Sequence, residues 1–297
     1  MWARVWGCRG SIAAPGPETI RYGGNTSCLE VRLESGETLV LDAGTGMRAL
    51  GASLDPERTA APLNILLTHL HMDHVQGLGF FRPLFDPDAD VHLWGPKSPL
   101  QTLQERISTY LSPPLFPVRL ADIPARLTFH DAPEEPVTIG SATVRAAKVT
   151  HQGATVGYRI EENGRSLVYI PDHEPSLGVN LADQPVSWIS GAELAAGADV
   201  LFHDAQYTDA EYTHHVGWGH SAIGHVVEFA RKADVGTLVL FHHDPYHTDD
   251  ELELLLADAL GRLDGDADRV CLAAEGLTVV CDADAVVVAP AAEVTTR

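Results

Sequence analysis

The sequence predicts an α/β fold in one domain, on three observations. Strand-like and helix-like segments alternate along the chain. Leu63 to Thr68 is a nearly continuous apolar run, the mark of a strand buried on both faces. Asn163-Gly164 separates two strand-like runs, and this dipeptide suits a tight hairpin turn because both residues tolerate positive φ.

Taken in order, Val5-Trp6, Cys28 to Leu33 and Thr38 to Asp42 read as early strands, with turns at Gly23-Gly24 and Ser35-Gly36. The buried run at Leu63 to Thr68 should lead into a His-rich loop and a helix. Residues 80–127 are Pro-rich, with a helix around Leu100 to Leu111, and read as an insertion or lid over a site. Strands return at Val137 to Ile139, Thr143 to Val149, Thr155 to Ile160 and Ser166 to Ile170. A helix at Ser221 to Lys232, a buried strand at Thr237 to Phe241 and a helix at Asp249 to Arg262 follow. Thr248 and the acids after it suit that last helix's start. Strands near Val270 to Ala273 and Thr278 to Cys281 close a single domain of residues 1–290. The tail, 291–297, reads as loose.

With 297 residues, 45% of them hydrophobic, the chain can bury a substantial core. The first residues lack a basic start followed by an apolar run, and no stretch reaches the roughly 20 apolar residues of a membrane span. Cys8, Cys28, Cys271 and Cys281 form no CxxC pair, so a zinc knuckle is disfavoured and reduced cysteines of a cytoplasmic protein are expected. A formal net charge of -21 repels phosphate backbones and argues against a long nucleic-acid partner.

The histidines are not scattered. Thr68-His69-Leu70-His71-Met72-Asp73-His74 places four metal-ligand side chains within six residues at the exit of a buried strand. In an extended loop, residues two apart point the same way, so His69 and His71 can face one ion. Asp73 and His74 fall where the next helix begins and can face another. Imidazole and carboxylate suit zinc, manganese or iron. His151, Asp172 and His242 each follow another strand-like run, and strand ends are where open α/β sheets build sites. Taken singly, each of these three reads as an ordinary loop or turn residue.

HxHxDH after a hydrophobic strand resembles the signature of the metallo-β-lactamase superfamily. The resemblance runs from about Val5 to Val280 and implies a four-layer αββα sandwich of two mixed β-sheets flanked by helices. It implies two divalent metal ions, zinc first, with manganese or iron as alternatives. His69, His71 and His151 would hold one ion, Asp73, His74 and His242 the other, and Asp172 would bridge them. His243 competes with His242 and is the poorer match. Asp42 resembles the family's aspartate that buttresses the metal loop, and many relatives are homodimers.

Two cations a few ångströms apart supply a hydroxide at neutral pH and polarise the attacked oxygen. Asp73 would bind metal and orient or deprotonate the water. Gly217-Trp218-Gly219-His220-Ser221 and His203-Asp204-Ala205 resemble segments of the tRNA 3′-processing phosphodiesterases, in which a histidine acts at the scissile phosphate and an acid orients it. His220 and Asp204 inherit those roles, with Asp standing where the family has Glu. Together with Arg21-Tyr22-Gly23-Gly24-Asn25, these segments resemble the phosphodiesterase branch. No counterpart of the basic tRNA-gripping arm is present, so the substrate expected is a small-molecule phosphodiester, cyclic or linear. Three alternatives stand beside it: a carboxyl-ester, thioester or lactone hydrolase on the same metals, a tRNA 3′-processing endonuclease, and a non-catalytic metal or ligand sensor.

Overall fold

A computed structural model describes residues 1–54, 61–263, 266, 269–282 and 285–290. Two mixed sheets lie face to face. The first contains β1 (Trp2–Gly7), β2 (Cys28–Arg32), β3 (Thr38–Leu41), β4 (Leu63–Leu66), β5 (Asp90–Gly95) and β6 (Arg126–Asp131). The second contains β7 (Val137–Ile139), β8 (Ala142–Lys148), β9 (Val156–Glu162), β10 (Arg165–Ile170), β11 (Val200–Asp204), β12 (Thr237–Phe241) and β13 (Val270–Leu272). β14 (Thr278–Cys281) and β15 (Val286–Ala289) return to the first sheet, whose order is β15-β14-β1-β2-β3-β4-β5-β6. The second sheet runs β13-β12-β11-β10-β9-β8-β7.

Each sheet has an antiparallel half and a parallel half. β3 to β6 pair in parallel, as do β10 to β13. Parallel neighbours need crossovers, and helices supply several of them. α1 (Met47–Ser53) and α3 (Leu103–Tyr110) cover the outer face of the first sheet through Leu50, Leu103 and Ile107. α6 (Ile223–Lys232) and α7 (Asp249–Arg262) cover the second through Val226, Phe229, Leu252 and Leu255. Between the sheets, Val5, Leu41, Tyr158, Phe202 and Phe241 interdigitate in one core. The architecture is therefore the expected four-layer αββα sandwich.

Local chemistry explains the element boundaries. Thr248 accepts the Glu251 N–H and Glu251 receives the Thr248 N–H, a reciprocal cap that starts α7 where the sequence placed it. Asn163 (φ 51°) and Gly164 (φ 76°) form the hairpin turn that sets Glu162 opposite Arg165.

One expectation needs correcting. The Pro-rich stretch 80–127 is not merely an insertion, because β5 sits inside the first sheet between β4 and β6. Val91 and Leu93 are buried beneath the helices of the outer face while His92 and Trp94, on the other face of β5, are only half-buried, so the strand alternates rather than reading as an apolar run. The tail 291–297 lies outside the described residues. Among the described residues no helix is long and apolar enough to cross a membrane. All four cysteines are free.

Candidate metal centre

The site is assembled at the carboxyl ends of the strands. β4 runs into the loop carrying His69 and His71, and α2 (Met72–Val75) presents Asp73 and His74 from its first turn. His151 follows β8, Asp172 follows β10, Asp204 ends β11 and His242 follows β12. The first four side chains come from one sheet and the rest from the other.

Donor atoms of His69, His71, His151 and Asp172 all lie within 4.8 Å of one another, as do those of Asp73, His74, Asp172 and His242. Asp172 belongs to both groups. Its Oδ2 lies 3.7 Å from His69 Nε2 and 3.6 Å from His151 Nε2. Its Oδ1 lies 3.0 Å from His74 Nε2 and 3.3 Å from His242 Nε2. Asp73 Oδ2 is 3.1 Å from both His74 and His242 Nε2. His243 points elsewhere, its Nε2 donating to the Ala273 carbonyl at 2.8 Å.

The arrangement fits divalent cations on its own chemistry. His151 Nδ1 gives its proton to the Gly219 carbonyl at 2.7 Å, His74 Nδ1 to Asp42 at 2.7 Å and His242 Nδ1 to Gln206 Oε1 at 3.1 Å. Whenever such a ring is deprotonated, Nε2 is the nitrogen left with a lone pair. These nitrogens converge, with His74 and His242 Nε2 at 3.3 Å and His151 Nε2 at 3.2 Å from His71 Nδ1. Buried His69 Nε2 has no hydrogen-bond partner. Convergent lone pairs repel unless a cation lies among them.

Electrostatics point the same way. Burial lowers the pKa of His69 and His151 and keeps both rings neutral. Burial would lower His74 as well, but Asp172, Asp73 and Asp42 crowd it and push it well above its ordinary value. Against the penalty of burial, His242, His74 and His69 hold Asp172 well below the carboxylate range. A cation held by the second group would take the place of the His74 proton.

The supporting residues are as specific as the donors. Asp42 accepts from the Thr68 N–H at 2.7 Å, the Thr68 hydroxyl at 2.9 Å and the Tyr169 hydroxyl at 3.1 Å, as well as from His74. Asp42 (φ 60°) and His242 (φ 58°) both hold left-handed backbone, at a cost of about 1–3 kcal/mol each, so packing must enforce these conformations. A Cβ on Gly10 would sit 2.5 Å from the His242 ring, so only glycine fits there.

His220 and Asp204 meet beside this cluster. His220 Nδ1 lies 2.7 Å from Asp204 Oδ2 and 3.9 Å from Asp172 Oδ2. Asp204 reaches despite its short side chain because it sits at the very end of β11, where it also accepts the N–H groups of His173, Gln206 and Ser221. Burial would lower the His220 pKa, but the Asp204 ion pair and hydrogen bond outweigh it and raise the value to about 9.

Glu174 and Gln206 were not singled out in the sequence. Buried Glu174 accepts the Gly217 N–H at 2.8 Å and the Tyr212 hydroxyl at 2.7 Å, and so shapes the loop before His220. The only hint was an acid two residues past Asp172. Of the remaining histidines, His173 and His203 pair with each other at 2.9 Å in the core.

Comparison with known proteins agrees. An uncharacterized Mycobacterium tuberculosis protein is 29% identical over 268 residues, covering 88% of this chain and 86% of its own. A ribonuclease Z of Mycolicibacterium gilvum is 27% identical over 261 residues, covering 78% of this chain and 82% of its own. A diphosphatase of the PhnP family superposes with a TM-score of 0.65 at 20% identity, over 95% of this chain and 98% of that one. Residues 37–243 match the family described as the beta-lactamase superfamily domain. The chain therefore belongs to the beta-lactamase superfamily, as a hydrolase of the metallo-β-lactamase fold.

Proposed function

We propose that this protein is a phosphodiesterase that hydrolyses a small phosphodiester, cyclic or linear, with two divalent cations, zinc first, held by the residues above. The observation that carries this reading is the buried His220–Asp204 pair at 2.7 Å, set against the shared carboxylate Asp172. When bound, the cations lower the pKa of water and neutralise charge on the phosphate. Asp204 fixes the His220 ring through Nδ1, which leaves Nε2 to give its proton to the leaving oxygen. As the bond from phosphorus to that oxygen breaks, the oxygen of water bonds to phosphorus. The leaving group departs as an alcohol and the phosphate remains as a monoester. Asp73 orients the water or takes its proton. Protonation by a positioned histidine contributes typically about 10²–10⁴-fold.

The four free cysteines accord with a cytoplasmic, reducing location. A second reading, tRNA 3′ processing, is favoured by the relatives named ribonuclease Z and opposed by the net charge of -21. Zinc- or manganese-loaded protein should cleave bis(p-nitrophenyl) phosphate and alkyl diesters, with His220→Ala crippled on the alkyl diesters. Cleavage of lactones or β-lactams without any phosphodiester turnover would overturn the proposal, and efficient cutting of precursor tRNA would favour the second reading.

A further inference from the structure

A cavity of about 410 Å³ opens beside His220. Aromatic rings form a continuous wall from His220 outward. Tyr207 meets His220 edge-on at 6.0 Å and stacks on His215 at 4.5 Å, and His215 meets Trp218 edge-on at 4.8 Å. Trp218 is 60% exposed and Tyr246, also lining the cavity, is 92% exposed. The exposure of Trp218 is imposed by its loop. Glu174 accepts the N–H groups of Gly217 and Gly219 on either side of it, both glycines having left-handed backbone, so the backbone that carries the indole is pinned outside the core. A rigidly displayed indole beside a reaction centre is a stacking platform.

Beyond His220 at its inner end, the charge of the cavity is one-sided. Glu211 and Asp244 line that outer part, with no lysine or arginine. Anions drawn to the metal cluster thus meet carboxylates if they carry a further negative charge toward this cavity.

We propose that this cavity is the leaving-group subsite, selecting phosphodiesters whose leaving group is a flat aromatic system bearing no additional negative charge. The claim rests on the phosphodiesterase reading, because it is His220, as proton donor, that marks this side as the leaving side. Selectivity then comes from two sources: stacking on Trp218 and Tyr246 favours flat groups, and Glu211 with Asp244 repels a second anion.

The test uses metal-loaded protein and paired p-nitrophenyl diesters. Phenyl p-nitrophenyl phosphate is compared with phenyl 3-carboxy-4-nitrophenyl phosphate, whose leaving phenolate is similar but carries a carboxylate. The expected KM for the carboxylated diester is at least tenfold higher, and Glu211→Gln should narrow that gap to about threefold. Trp218→Ala should raise KM at least fivefold with kcat within twofold, and Trp218→Phe should restore it. The same rise is expected with methyl p-nitrophenyl phosphate, in which only the leaving group is aromatic. Equal KM values for the two leaving groups, an unmoved KM in Trp218→Ala, or a rise absent from the methyl diester would overturn the subsite alone. No wild-type turnover of any of these diesters would remove the phosphodiesterase reading and the subsite with it.

Discussion

The carboxylate of Glu174 accepts the backbone N–H of Gly219 at 2.7 Å, and the carbonyl of that same glycine receives the His151 Nδ1 proton, also at 2.7 Å. A buried acid thereby orients a metal-facing imidazole through a single peptide unit. Replacing Glu174 by Ala leaves the Gly217 and Gly219 donors and the Tyr212 hydroxyl without their acceptor, at about 1–3 kcal/mol for each buried group left unpaired. We expect a loss of several kcal/mol in urea unfolding and a weaker first metal site in competition titrations. Wild-type metal affinity in a stably folded Glu174→Ala protein would contradict this coupling.

Among the proposed ligands Asp42 bonds directly only to His74, through the Nδ1 proton, and reaches His69 one step removed, through the Thr68 hydroxyl. Acceptors behind metal-binding histidines typically change affinity about 10–100-fold when removed. Asp42→Asn should therefore weaken binding at the Asp73–His74–Asp172–His242 group by that factor, while the His69–His71–His151 group changes less. Stepwise titration with a chromophoric chelator separates the two sites.

Asp172→Ala removes the carboxylate that faces both groups. Metal analysis should find fewer than two ions retained after dialysis, and turnover should fall below detection. Retention of two tightly held ions would show that the two sites do not depend on a shared ligand.

Metal binds only the folded arrangement, so its removal should lower thermal stability. At a free metal concentration about 100 times Kd the stabilisation is roughly 2.7 kcal/mol. Chelation should lower Tm by several degrees and zinc or manganese should restore it. A Tm indifferent to chelator would argue that no cation occupies the cluster.

His220→Ala and Asp204→Asn should leave two ions bound yet lower kcat by about 10²–10⁴-fold on alkyl diesters. The loss should shrink on p-nitrophenyl diesters, whose good leaving group needs little protonation. An equal loss on both would assign His220 to phosphate binding rather than proton donation.

The candidate donors could be gathered from the sequence because such residue types cluster locally: four lie within His69 to His74, and His151, Asp172 and His242 each follow a strand-like run. The supporting residues were less legible, because their partners are remote in the chain. Glu174 serves amides 43 and 45 residues away, and Gln206 serves a ring 36 residues away. Nothing around Glu174 announces such a role. The fold was read in the same uneven way. β12 and the hairpin of β9 and β10 stand out by apolar runs and an Asn-Gly turn. β5 was missed because prolines crowd it and only every other side chain is buried.

Because His69 to His74 extend from the first sheet while His151, Asp172 and His242 extend from the second, any ion held here is a rivet through the whole sandwich. Neither half of the chain owns a complete coordination sphere. Separation of the sheets must therefore dismantle the centre before the core is exposed, so loading with metal should slow global opening and make resistance to proteolysis a direct report on assembly of the site.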